Sequence, residues 1–181
     1  MALISAGSEV RRRLWVLFAS LAVVALSGRP SVLHAQVSSL PAADVGSLIR
    51  SQPGARVVLI YSTSCRPSHE MFPEVVRLAE RYSPLGVTFL AFSIDEDPAG
   101  IEEYLGSVGY IFGRYHIQPG EPGELTTALE PSGIDVRSGV FTPHIAVIDA
   151  YGQLVGQERG GYGARQANRW LRSLGFNPAS D

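Results

Sequence analysis

Unbroken apolar runs alternate along this chain with stretches in which apolar residues recur every three or four positions. Val57-Val58-Leu59-Ile60-Tyr61, within 56–62, carries no polar break. A run of that kind suits a strand covered on both faces, as in a parallel sheet. Val87 to Ile94 and His144 to Asp149 read the same way. Phe72, Val75, Val76 and Ala79 fall at i, i+3, i+4 and i+7, one buried stripe on a helix from about Cys65 to Tyr82. Pro73 lies inside that helix and predicts a kink. Further helices are predicted over 42–51, 98–105 and 124–129. A last one carries Ala167, Trp170, Leu171 and Leu174 on its buried face. Residues 110–117 contain a short strand. Gln153 to Gln157 returns as a hairpin partner through the Tyr151-Gly152 turn. Gly160, Gly161 and Gly163 read as a flexible loop, and 36–41 as a linker.

Strands that alternate with helices predict an α/β fold: a mixed central sheet with parallel core strands, helices on both faces and a C-terminal antiparallel hairpin.

The first 35 residues change the picture. Arg11, Arg12 and Arg13 precede a charge-free stretch of 14 residues, Leu14 to Ser27, and Ala35 offers a cleavage point. This is the pattern of an export signal. The stretch falls short of the ~20 residues of a spanning helix, and an uncleaved membrane anchor is the alternative. The organisation is therefore 1–35 signal or anchor, 36–41 linker and 42–181 one domain. The product is expected to be exported, periplasmic or otherwise extracytoplasmic, touching membrane only through an uncleaved N-terminal segment. Residues 1–35 carry four arginines and one glutamate, a net +3. The remainder of a chain at −2 therefore stands at −5. With a pI of about 6.1, the charge gives no reason to expect nucleic acid. All 15 basic residues are arginine, which excludes Schiff-base chemistry and a P-loop lysine. No cofactor is expected.

Export also makes Cys65, the only cysteine, conspicuous. In an oxidising compartment a single cysteine is a free reactive thiol or an intermolecular partner. Cys65-Arg66-Pro67-Ser68 stands between the first core strand and the long helix. A thiol at a helix N-terminus is favoured as thiolate, the reactive form. Arg66, by charge, His69, four residues along the same helix face, and the neighbouring carboxylate Glu70 are candidate modulators. The plain alternative is a small buried hydrophobe.

This constellation resembles the thioredoxin-like superfamily, and within it the exported TlpA-like (ResA-like) branch, over about residues 42–175. Cys65 opens a C-x-x-S variant of the C-x-x-C motif, with Pro67 at its inner proline. Pro73 stands eight residues on, where that family bends the same helix. Thr142-Pro143 precedes the strand His144–Asp149, as the family's cis-proline does. The resemblance implies that Cys65 attacks a disulfide to form a mixed disulfide, with exported protein thiols or disulfides, or glutathione, as partners. It implies that Pro67, Thr142 and cis-Pro143 bind substrate, whose backbone pairs beside Thr142. Ser68 replaces the resolving cysteine, so its hydroxyl is left to hydrogen-bond the thiolate, and resolution falls to an outside thiol. Leu59 and Met71 stand where relatives carry carboxylates, and Glu70 is one residue displaced.

The reading is an exported monothiol thiol-disulfide oxidoreductase. A redox-silent protein- or peptide-binding module is the alternative. Two further readings are a copper-handling protein using Cys65, His69 and His144 and a peroxidase, for which Ser62 has the spacing of that family's threonine.

Overall fold

A computed structural model describes residues 37–109 and 112–178. The proposed signal or anchor over 1–35 lies outside the described residues. Among the described residues no helix is long and apolar enough to cross a membrane.

Six strands form one sheet: β1 (Ser38–Pro41), β2 (Arg56–Tyr61), β3 (Thr88–Ser93), β4 (Gly113–Gln118), β5 (His144–Ile148) and β6 (Leu154–Arg159). Their order is β1-β4-β3-β2-β5-β6. The first four strands run parallel; β5 pairs antiparallel with β2 and with β6. Among the described residues four α-helices lie between the strands, α1 (Val45–Ser51), α2 (Arg66–Tyr82), α3 (Pro98–Val108) and α4 (Glu124–Leu129), and α5 (Gly163–Ser173) follows β6.

The unbroken apolar strands follow from helices on both faces of this sheet. Side chains alternate across a strand. Val57, Leu59 and Tyr61 of β2, with Ile145 and Val147 of β5, pack against α2, α3 and α5. Val58 and Ile60, with Ala146 and Ile148, face α1, α4 and the loop carrying Ile134 and Val136. β2 is buried at every position because both of its faces are core.

Several expectations are corrected. Residues 38–41, read as a linker, are β1, paired with β4 from Ser38↔Tyr115 to Pro41↔Gln118. Ser-Ser-Leu-Pro has no alternation to announce a strand, and tertiary pairing makes it one. The short strand in 110–117 is the six-residue β4, hydrogen-bonded on both sides. The third helix extends to Val108 rather than 105. Helix α2 keeps its expected extent, running to Tyr82 with Pro73 inside it.

Gly163 is not part of a flexible loop; it opens α5. A Cβ there would stand 2.5 Å from Ile145 Cγ2 and 3.0 Å from Met71 Sδ. Glycine is needed here for close packing of α5 on β5 and α2, not for flexibility.

Candidate active site around Cys65

Helix α2 begins where β2 leaves the core. Cys65 is its N-cap, in an extended conformation, and its carbonyl accepts from the N–H groups of Ser68 (2.9 Å) and His69 (3.2 Å). Pro67, exposed in the first turn, lacks only an N–H that would find no helical partner there. The thiol is half-buried, at the positive end of a 17-residue helix.

The sulfur faces the loop before β5. Cys65 Sγ donates to the Thr142 carbonyl oxygen at 3.1 Å. The Thr142–Pro143 peptide is cis, and Pro143 is buried. Its carbonyl accepts from Gly160 N–H at 2.8 Å.

Opposing effects act on the thiol. Burial, the largest, disfavours the thiolate, and the Asp95 charge works in the same direction. Hydrogen bonds from the Thr142 side chain and from the Ser68 hydroxyl and N–H favour the ion and prevail, so the pKa falls below the ordinary thiol value. The Thr142 carbonyl serves the protonated sulfur; the hydroxyls serve the ionised one. Ser68 is 1% exposed, and its Oγ also accepts from Ser62 N–H at 3.5 Å.

Asp95 is the neighbour of the Cys65 turn that sequence reasoning missed. It follows β3 and reaches back to the turn that delivers Cys65. Its carboxylate accepts from Ser62 Oγ (2.6 Å), Thr63 N–H (2.7 Å) and Ser93 Oγ (2.6 Å). Burial alone would raise the Asp95 pKa, but these bonds outweigh it and hold the group below the usual carboxylate range. Asp95 is therefore a fixed negative charge. Its field reaches Tyr61 too, whose hydroxyl is raised first by burial and then by this charge. No local signal announces it: Tyr61 pairs with Ser93 in the sheet, and that register brings together the residues just beyond the two strand ends. The serine required by the peroxidase reading, Ser62, is bonded to Asp95 and to Ser64 Oγ at 2.8 Å.

The candidate modulators have other partners. Arg66 pairs with Glu70 at 2.9 Å on the exposed face of α2, so its charge is directed at Glu70. His69 Nε2 bonds to the Thr63 carbonyl, and its ring lies 4.4 Å from that of Tyr104. Because a carbonyl only accepts, Nε2 carries the proton. Burial pushes Tyr104 up to about 12.

His144 is 1% exposed. Gln157 Oε1 accepts the Asp135 N–H at 3.0 Å, which fixes that oxygen in place. His144 Nε2 must then be the donor to it, at 3.1 Å. Nδ1 remains buried without a partner. Burial, ahead of the opposing Gln157 bond, keeps the ring neutral by lowering its pKa. The trio of the copper reading is therefore not assembled: among the described residues no three His, Cys, Asp or Glu side chains come together as a metal site.

The sequence matches no protein-family model and no curated protein. Solved structures do match. One is a thiol:disulfide interchange protein of the thioredoxin family from Chlorobium tepidum, at 24% identity and TM-score 0.55, covering 66% of this chain and 79% of that one. Another is a putative thiol:disulfide interchange protein DsbE from the same organism, at 16% identity and TM-score 0.56, covering 70% and 83%. A third is StoA from Bacillus subtilis, at 13% identity and TM-score 0.51, covering 68% and 86%. The likeness is one of fold.

Proposed function

From the thioredoxin-like fold that this chain adopts, we propose that it is an exported monothiol thiol-disulfide oxidoreductase acting on extracytoplasmic protein thiols and disulfides, with glutathione as a small-molecule partner. The observation that carries this reading is the Cys65 sulfur, half-buried at the start of α2 and seated against Thr142 beside Pro143.

Cys65 gives up its proton and its thiolate attacks one sulfur of a partner disulfide. The partner's S–S bond breaks and a Cys65–partner S–S bond forms. The second partner sulfur leaves as thiolate and takes a proton from water. Cys65 is thereby oxidised to the disulfide level and the leaving sulfur is reduced to a thiol. Ser68 holds the ionised sulfur but does not cleave the new bond. An outside thiolate does so, oxidised in its turn while Cys65 is released. Thr142 and Pro143 form the wall against which the partner's backbone lies, and Pro67 keeps the first turn of α2 in place. Export is supported by the charged-then-apolar leader.

Incubating the protein lacking residues 1–35 with glutathione disulfide tests the reading. Mass spectrometry should find one glutathione on Cys65, removed by added thiol. A sulfur inert to glutathione disulfide and to alkylation up to the ordinary thiol pKa of about 8.5 would overturn it, in favour of a redox-silent binding module.

A further inference from the structure

A cavity of about 550 Å³ opens beside the site, within the size range of ligand-binding clefts. It lies at the C-terminal ends of β3 and β4, where open α/β sheets bind ligands. Ile94, Ile117, Leu125, Val136 and Val140 give it an apolar lining.

Both walls run directly into the Cys65 site. Val140 is two residues from Thr142, whose carbonyl accepts from Cys65. Two residues of chain span at most ~7 Å. Glu96 follows Asp95, which holds the Thr63 N–H two residues before the cysteine. A polypeptide with its own sulfur at Cys65 therefore has neighbouring side chains within reach of this cavity.

The charge around the cavity is asymmetric. Glu96 and Glu121 are exposed and line it, and neither carboxylate has a partner among the described residues. Arg137 also lines it, but Asp135 accepts from its Nε and Nη2 at 3.0 Å. Two free anions thus stand beside a cation already matched.

We propose that this cavity selects the protein partner of Cys65, taking a segment in which a large apolar side chain is followed by an arginine or lysine near the reacting cysteine. The apolar group enters between Leu125 and Val140; the cation is met by Glu96 and Glu121. The inference rests on the mixed-disulfide reading above and names the substrate class of that site.

The test uses short peptides whose single cysteine is a mixed disulfide with thiopyridine. Leu-Arg, Leu-Glu or Ser-Ser is placed on either side of the cysteine. Attack by Cys65 breaks the S–S bond, joins the peptide to Cys65 and releases thiopyridone, read by absorbance. The Leu-Arg peptide should react about fivefold faster than Leu-Glu, as suits weak exposed ion pairs, with the advantage shrinking in high salt. Glu96→Gln with Glu121→Gln should abolish that advantage while leaving reaction with glutathione disulfide unchanged. Cys65→Ser should still bind a cysteine-free Leu-Arg peptide more tightly than a Leu-Glu one, by fluorescence anisotropy. Equal rates for all peptides, with glutathione disulfide reacting normally, overturn the cavity's role and leave the chemistry standing. A sulfur inert to every disulfide overturns the chemistry, and the Cys65→Ser binding arm then decides the cavity alone.

Discussion

The Cys65 thiol donates to the Thr142 carbonyl at 3.1 Å, joining two positions 77 residues apart in sequence. Hydroxyls of Thr142 and Ser68 stand ready for the ionised sulfur, and the thiol pKa is lowered despite burial and the Asp95 charge. Alkylation rate against pH should therefore show a midpoint below that of an unstructured cysteine peptide. The unfolded chain keeps an ordinary thiol. The stabilisation from this shift is thus fully present above the unfolded value and is lost as pH falls through the lowered folded value. A midpoint at or above that of a cysteine peptide contradicts this.

Ser68→Ala should move the alkylation midpoint upward, because a donor to the thiolate is lost. Ser68→Cys places a second sulfur one helical turn from the first. Under mild oxidation it should lose two hydrogens by mass and shed a glutathione adduct without added thiol. A Ser68→Cys variant that keeps its adduct as long as the parent would show that the first turn of α2 does not present residue 68 to the sulfur.

Asp95 separates charge from anchorage. Asp95→Asn keeps one oxygen for the Thr63 and Ser93 donors and turns its NH2 toward Ser62 Oγ, which then accepts, while the charge that opposes the thiolate is removed. Its alkylation midpoint should fall below that of the parent. Asp95→Ala removes the anchor as well and should cost about 2 kcal/mol in urea unfolding, as for charge-assisted hydrogen bonds left unmade. The Asp95 carboxyl is held low, so its contribution is present above the unfolded value of about 3.9 and is lost as the pH falls through the folded value.

Gly163→Ala should destabilise the fold by about 2 kcal/mol, as overpacked cores do, because the new methyl meets Ile145 and Met71. Urea denaturation measures this. A neutral effect would mean that α5 shifts freely on β5.

The fold was legible where burial leaves a local trace. β2 and α2 were read from apolar periodicity, and Cys65 stood out because it sits where one period replaces the other. β1 left no trace, since Ser38, Ser39 and Leu40 become a strand only through β4. Asp95 was visible merely as an acidic turn. Its role depends on β3 lying next to β2 with Tyr61 opposite Ser93, a fact of sheet order that no local window contains. Arg66 and His69 were placed correctly on α2, but their partners, Glu70 and the Thr63 carbonyl, were set by rotamer and turn geometry.

The Pro143 carbonyl is already engaged by Gly160, and the Thr142 carbonyl is engaged only while the sulfur keeps its hydrogen. Ionisation, or joining to another sulfur, leaves nothing to donate there. The Thr142 oxygen is thus vacated by the same proton loss that makes the sulfur a thiolate, so the free or engaged state of that carbonyl follows the charge on Cys65.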